Sequence, residues 1–228
     1  MPSLRFVIAL IVILTLLSAV ESFLCPWSPY FIVYAILAII IPLYFKTYKV
    51  KRFDKTQVKL FVKFLIVSVL VVVLSKIGYV LILKYLSLRG NPFYDINYAL
   101  LELGRIVNER FGISVSKAML IYAFYIIVWA PIGEELLYRG FLFEILNRKY
   151  SFAISALVSS LFFGVRHLVH FLLLPKYPVF AGLFYFYIAF VYGLIMAYAY
   201  KKTENIYIPM GLHLLTNIIS AFMRVFNT

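Results

Sequence analysis

Several apolar runs in this chain are long enough to cross a membrane, and they constrain the fold more than any other feature. They lie at residues 4–24, 30–45, 60–83, 116–147, 151–174, 178–200 and 206–225. A helix needs roughly 20 apolar residues to cross the hydrocarbon core of a bilayer. Only helices and closed barrels satisfy their backbone hydrogen bonds in lipid. The sequence therefore predicts an all-α, polytopic transmembrane helix bundle of about seven spans.

The composition agrees with a membrane bundle. The 228 residues are 64% hydrophobic and 14% charged, whereas soluble domains carry about 25% charged residues. The formal net charge of +13 comes from lysines and arginines at the ends of apolar runs, as the positive-inside rule expects. We therefore expect membrane lipids, and not nucleic acid, as partners. A single cysteine, Cys25, excludes an intrachain disulfide and a cysteine-built metal site.

The basic segment 46–59 predicts the orientation of the chain. It holds one acid, Asp54, against Lys46, Lys49, Lys51, Arg52, Lys55 and Lys59. Such a segment is typical of a cytoplasmic loop, and it places the N-terminus in the cytoplasm as well. We interpret the first apolar run as a retained helix, because only one basic residue precedes it and an A-x-A cleavage pattern is absent.

The segment 84–116 has a different character, with acids and bases scattered among apolar residues. Its part Pro92–Phe111 predicts an interfacial amphipathic helix. A connector that packs on the bundle is the alternative.

Two adjacent glutamates interrupt the most apolar part of the fourth run. A charge near the centre of a bilayer costs about 2.5–3.5 kcal/mol on insertion scales, so these side chains should be paired or functional. Glu135 and Arg139 are four residues apart, with the acid first, which favours an ion pair on a helix. Glu134 lies about 100° round the axis, so we expect its carboxylate to be free. Pro131 should kink this helix and leave polar backbone groups near the glutamates.

Three more polar residues lie in later apolar runs: His167, His213 and Asn217. Burying the polar faces of three helices against one another costs less than burying each in lipid. Their convergence with the glutamates would supply a carboxylate base, imidazoles and an amide donor. Such a set can activate a water molecule and stabilise an oxyanion.

Three ordered motifs carry a family resemblance. They are Glu134-Glu135-x-x-x-Arg139, Phe163-x-x-x-His167 and His213-x-x-x-Asn217. Together they resemble the type II CAAX prenyl endopeptidases, whose wider superfamily includes the bacteriocin-processing and immunity proteins of the Abi family. The resemblance covers about residues 116–226. It divides a single integral membrane domain, 1–228, into N-terminal spans with an interfacial helix (1–115) and catalytic helices (116–226).

The resemblance implies an intramembrane peptidase that cuts near the C-terminus of a prenylated or other membrane-associated substrate. It implies three pairs of roles: Glu134 with His167 activates the water, His213 with Asn217 forms an oxyanion hole, and Glu135 with Arg139 supports the site. The active site would then lie nearer the cytoplasmic leaflet. No cofactor would be required.

The sequence leaves alternatives open. Zinc bound by Glu134, His167 and His213 is one, although the HExxH helix of zinc peptidases is absent. A non-catalytic immunity or chaperone-like protein of the same fold is another, and a proton-linked transporter is a third. The natural substrate, the oligomeric state and the role of His170 are not given by the sequence.

Overall fold

The structure is a computed structural model. It describes residues 2–24, 31–91, 94–95, 105, 108–109, 112, 114, 117, 124–172 and 179–225, without the side chains of 19–24, 31–32, 125–126, 170–172 and 221–225. Every regular element within these residues is a helix, so the predicted all-α class is confirmed.

Seven helices occupy the described residues. They are α1 (Leu4–Leu24), α2 (Phe31–Phe45), α3 (Lys55–Tyr85), α4 (Tyr125–Trp129, Ala130–Glu135, Leu136–Phe143 and Glu144–Asn147, in succession), α5 (Phe152–Leu172), α6 (Val179–Thr203) and α7 (Tyr207–Val225). The predicted start of the fourth helix and the predicted interfacial helix Pro92–Phe111 lie almost wholly outside the described residues.

Three of these helices, α3, α5 and α6, are long and apolar enough to cross a membrane. The segments Leu4–Ser18 and Val33–Phe45 are apolar but shorter. Large apolar side chains are exposed along α3, at Ile66, Leu70, Leu74, Ile77 and Leu81. A soluble protein rarely exposes so continuous an apolar face, and hydrocarbon covers it without cost. The architecture is that of a helical membrane bundle.

Helix α3 begins earlier than the predicted span at residue 60. The Asp54 side chain caps it, since Oδ1 accepts a hydrogen bond from the backbone N–H of Gln57 at 2.8 Å. An aspartate at this position satisfies a backbone donor that the helix itself cannot. The helix therefore starts inside the basic segment, and its first lysines, Lys55 and Lys59, are exposed.

Helix α4 changes its hydrogen-bond spacing around the glutamates. A π-helical segment, Tyr125–Trp129, precedes the α-helical Ala130–Glu135, and a second one, Leu136–Phe143, follows. Pro131 has no amide donor and its ring displaces the preceding turn, so a change of spacing there accommodates it. π-Helical turns occur often at functional sites. Glu134 and Glu135 are the last residues before the second change.

Helices α5 and α6 form the most extensive helix pair. A Cβ atom added at Gly193 would lie 2.9 Å from the Ser160 side chain, and one at Gly164 would lie 3.1 Å from Phe186. Small residues therefore let the two backbones approach closely, as in many membrane helix pairs. This contact fixes the position of the polar residues on α5.

The remaining helices surround α4 and α5. Helix α1 packs on α5 and α2, α2 packs on α4, and α3 packs on α6 and α7. One apolar core joins them, including Val7, Ile11, Tyr34, Phe163, Met196 and Leu212. The polar groups of α4, α5 and α7 are enclosed by this core.

At one end of the bundle, the basic segment is tied to the α6–α7 connection. We call this region the loop cluster, comprising Lys49, Lys51, Gln57, Glu144, Glu204 and Asn205. Lys49 Nζ lies 3.2 Å from Glu204 Oε1 and 3.5 Å from Glu144 Oε1, and Lys51 also pairs with Glu204. Asn205 Nδ2 donates to the Lys51 carbonyl at 2.9 Å and to Gln57 Oε1 at 3.0 Å. The segment predicted to be a cytoplasmic loop is thus bound to the bundle.

Candidate active site

The predicted ion pair on α4 is present. Arg139 Nη1 lies 3.1 Å from Glu135 Oε1, and both side chains are fully buried. The pair is close enough for a charge-assisted hydrogen bond. The four-residue spacing on α4 therefore brings these two groups together as the sequence indicates.

Glu134 is not free, and this expectation was wrong. Arg166 Nη1 of α5 donates to Glu134 Oε1 at 2.6 Å, and both side chains are almost completely buried. Spacing along one helix indicates only partners on that helix, whereas Arg166 comes from the neighbouring one. An arginine inside an apolar helix, directly before His167, was the signal that could have revealed it.

His213 joins the two glutamates. Its Nδ1 atom lies 2.8 Å from Glu135 Oε1, and its Nε2 atom lies 3.8 Å from Glu134 Oε2. A carboxylate only accepts hydrogen bonds, so Nδ1 carries the proton in the contact with Glu135. Helix α7 thus places one imidazole between the carboxylates. We call Glu134, Glu135, Arg139, Arg166 and His213 the site cluster.

His167 is held by its own helix. Its Nδ1 atom lies 2.8 Å from the backbone carbonyl oxygen of Phe163. A carbonyl oxygen cannot donate, so Nδ1 is the donor and the neutral ring keeps Nε2 as an acceptor. This tautomer can accept a proton at Nε2.

The Phe163 ring is the apolar wall of the site. The guanidinium carbon of Arg139 lies 4.5 Å from its centre. The rings of His167 and His213 lie edge-on to it at 4.6 and 6.0 Å between centres. A cation over an aromatic face is stabilised without a hydrogen bond. The motif phenylalanine therefore contacts all three polar helices of the site.

Two tyrosines near the site were not identified from the sequence. The Tyr34 ring of α2 lies 4.7 Å from the guanidinium carbon of Arg166. The Tyr192 ring of α6 lies 5.3 Å from that of His213, and its hydroxyl is 2.7 Å from Thr216 Oγ1. Their aromatic residue type is common throughout this chain, so nothing in the sequence distinguished them.

The structure says less about two other residues singled out in the sequence, Asn217 and His170. Asn217 lies on α7 one turn after His213, and its side chain is partly buried. The His170 side chain lies outside the described residues. The roles of Asn217 and His170 stay predictions.

The arrangement does not fit the zinc alternative. No group of three His, Cys, Asp or Glu side chains among the described residues is arranged to hold a metal ion. One oxygen of Glu134 is engaged by the Arg166 cation. A guanidinium in direct contact with a would-be ligand disfavours a divalent cation there, because the two positive charges repel.

Comparisons with known proteins were made for the whole chain. Residues 116–219 match the family model described as "Type II CAAX prenyl endopeptidase Rce1-like". The chain is 29% identical over 134 residues to a Bacillus subtilis (strain 168) protein named "Putative membrane peptidase YdiL". That match covers 58% of this chain and 49% of the relative, so the chain spans about half the length of the curated relative it matches. No solved structure matches the chain significantly.

The segment that matches the family model contains every residue of the site cluster, together with His167 and Asn217. The apolar helices and the family match make this a membrane protein. The number of spans and their orientation stay predictions. The resemblance predicted from the three motifs is confirmed: residues 116–219 match the model of the Rce1-like type II CAAX prenyl endopeptidases.

Proposed function

We propose that this protein is an intramembrane endopeptidase that hydrolyses a peptide bond near the C-terminus of a prenylated, CAAX-type or other membrane-associated substrate. The observation that carries this proposal is the site cluster itself. Three helices bring two carboxylates, two guanidinium groups and an imidazole together in a buried position. Buried charges of this kind are expensive in a membrane protein and are commonly functional.

Glu134 is the proposed general base. Its Oε1 atom is held by Arg166, whereas its Oε2 atom is directed toward His213 Nε2 at 3.8 Å. A water molecule bound at Oε2 would transfer its proton to this carboxylate as it attacks the substrate carbonyl. A positioned base of this type contributes about 10²–10⁴-fold to a rate.

His167 is the proposed second group at the water. The contact with the Phe163 carbonyl fixes the proton on Nδ1, so Nε2 can accept a hydrogen bond from the water. The Phe163 ring packs against the same imidazole and limits its rotation. In this proposal His167 orients the water while Glu134 takes the proton.

His213 and Asn217 are the proposed oxyanion donors. Since His213 Nδ1 donates to Glu135, donation to an oxyanion has to come from Nε2. The imidazole would therefore carry a proton on each nitrogen when it stabilises the oxyanion. Asn217 would supply a neutral amide donor from the next turn of α7.

Glu135 and Arg139 are proposed to support these groups. Glu135 holds His213 and Arg139 through one oxygen atom, Oε1. Among the described residues, its Oε2 and the Nη2 of Arg139 have no hydrogen-bond partner. Buried polar atoms of this kind are normally satisfied by protein or by ordered water, so they suit a site that binds water and a peptide.

We further propose seven spans with a cytoplasmic N-terminus and an active site nearer the cytoplasmic leaflet. The loop cluster would then lie in the cytoplasm and Cys25 on the opposite side. An impermeant thiol reagent applied to intact cells tests this orientation. It should label Cys25, but should label a Lys202→Cys variant without Cys25 only after permeabilisation. The reverse pattern contradicts the orientation.

The proposed reaction is tested with purified protein and a panel of fluorogenic peptides: farnesylated, geranylgeranylated and unprenylated. Mass spectrometry of the products identifies the bond that is cut. We expect cleavage of a prenylated peptide, loss of cleavage in Glu134→Gln, and no effect of a zinc chelator. Glu204→Gln in the loop cluster is the matched control and should cleave normally. If folded wild-type protein cuts none of the panel, the non-catalytic alternative is favoured.

A further inference from the structure

Arg166 lies outside the three motifs, yet it makes the shorter of the two ion pairs in the site cluster. We propose that Arg166 is a positioning residue, which holds Glu134 Oε1 and thereby leaves Oε2 as the oxygen that receives the proton from water. This inference rests on the proposed function, because it gives Arg166 a role next to Glu134, the proposed general base.

The geometry separates the two oxygens of Glu134. Arg166 Nη1 lies 2.6 Å from Oε1, whereas Oε2 lies 3.8 Å from the nearest nitrogen of His213. A hydrogen bond from a cation to one carboxylate oxygen restricts rotation of the whole group. Without it, either oxygen could face the substrate and the attacking water would have no fixed position.

Arg166 is itself fixed from the other side. The Tyr34 ring of α2 packs against its guanidinium, with 4.7 Å between the guanidinium carbon and the ring centre. The Arg166 side chain is 8% exposed, so solvent does not compete strongly for it. Helices α2, α4 and α5 therefore meet at this side chain, which suits a group that must keep its orientation.

Arg166 also contributes to the charge balance of the site cluster. The two glutamates of the site cluster are balanced by Arg139 and Arg166, so loss of Arg166 leaves the carboxylates with one guanidinium between them. A neighbouring positive charge favours the ionised form of a carboxylate, and its removal favours the protonated form. The titratable and charged groups that interact with Glu134 are Arg166 on α5, His213 on α7, Tyr138 on α4 and Tyr34 on α2. Glu135 and Arg139 on α4 form the neighbouring ion pair, and His167 on α5 follows Arg166 in the chain.

The first test does not depend on turnover. Infrared difference spectra during a pH titration report the carbonyl stretch of protonated Glu134, which is identified by its absence in Glu134→Gln. In Arg166→Gln this band should appear at a higher pH than in the wild type, because the substitution removes the positive charge beside the carboxylate. Glu204→Gln is the matched control: it removes a carboxylate of the loop cluster, outside the site cluster, and should leave the band in place. An unchanged band in Arg166→Gln would overturn the proposal.

The second test uses turnover of a cleavable prenylated peptide. Arg166→Gln should lower kcat with little change in KM, and the acid limb of its pH–rate profile should move with the infrared band. Arg166→Lys keeps the charge but not the planar guanidinium, so its band should stay near the wild-type position while kcat still falls. If Arg166→Lys has the wild-type kcat, Arg166 does not act by positioning Glu134. This test remains available if Arg166→Gln fails to fold. If the wild-type protein shows no turnover but the band still shifts in Arg166→Gln, the proposed function is refuted. The effect of Arg166 on Glu134 is then supported by itself.

Discussion

Two regions of this protein pair glutamates with basic side chains, and they do so in opposite surroundings. In the site cluster, Glu134 and Glu135 are 2% and 0% exposed. In the loop cluster, the side chains of Lys49 and Glu204 are 42% and 37% exposed. Water can replace a lost partner in the second region but not in the first. Loss of one partner should therefore cost more folding free energy in the site cluster than in the exposed pair of the loop cluster.

The difference separates two kinds of contribution. Exposed ion pairs contribute about 0–1 kcal/mol to stability, whereas removal of one partner of a buried pair costs about 3–5 kcal/mol. The buried pairs are therefore costly to disturb without being strong evidence of stabilisation. This supports a functional reason for the site cluster, while the loop cluster is a structural connection.

Replacing Arg139 by alanine should have the largest effect on folding. It leaves Glu135 buried without its guanidinium partner, and we expect a loss of about 3–5 kcal/mol in the free energy of unfolding. Reversible denaturation in detergent micelles measures this loss. A matched Lys51→Ala variant in the loop cluster removes an exposed partner of Glu204 and should lose far less. Equal losses would contradict the comparison.

Replacing Asn205 by alanine should have an intermediate effect. Asn205 is fully buried beneath the exposed lysines of the loop cluster, and its amide donates to the Lys51 carbonyl and to Gln57. An unsatisfied buried polar group costs about 1–3 kcal/mol. The same denaturation measurement checks this value. If Asn205→Ala loses as little free energy of unfolding as Glu204→Gln, burial of the side chain does not determine the cost of its removal.

Replacing Glu204 by glutamine should change the free energy of unfolding by less than about 1 kcal/mol. Its pairs with Lys49 and Lys51 are partly solvated, so salt should reduce even this effect. Denaturation at low and high ionic strength measures it. A larger change in the free energy of unfolding that is independent of salt would show that Glu204 behaves like the buried ion pairs.

The loop cluster should also give a small pH dependence. Hydrogen bonds from Lys51 and then Lys49 hold the pKa of Glu204 below its usual 4.5. A lowered carboxyl pKa stabilises the fold above the unfolded value, and this contribution is lost as the pH falls through the folded value. Wild-type stability should therefore fall more than that of Glu204→Gln below about pH 4.5. Parallel curves for the two proteins would contradict this assignment.

Much of the fold could be predicted because apolar length and local spacing determine it. The helices α1, α2, α5, α6 and α7 begin and end within a few residues of the predicted spans. The Glu135–Arg139 pair followed from spacing on one helix. These features depend on neighbours in the chain, and the sequence displays such neighbours directly.

Contacts between helices could not be predicted in the same way. The Glu134–Arg166 pair depends on how α5 rotates against α4. Helix α5 is in turn held by its close packing on α6 at Gly164 and Gly193. The early start of α3 depends on one capping hydrogen bond of Asp54. The loop cluster joins residues more than 140 positions apart. No periodicity in the chain encodes such distant partners.

The ion pair of Glu134 also has a consequence for its variants. A free Glu134 could be replaced by glutamine without consequence for folding, but Glu134 carries the charge that balances Arg166. Glutamine keeps an oxygen that can accept from Arg166 and loses only the charge. Some loss of folded protein is therefore expected, and activity has to be expressed per folded molecule.

The most direct measurement is the turnover of a prenylated peptide per folded molecule of Glu134→Gln, compared with Glu204→Gln and the wild type. The fraction of folded protein is determined for each variant by size-exclusion chromatography and by denaturation in the absence of substrate. Our account predicts that Glu134→Gln loses about 10²–10⁴-fold or more in kcat, while Glu204→Gln equals the wild type. Turnover by folded Glu134→Gln at the wild-type rate would contradict the assignment of Glu134 as the base.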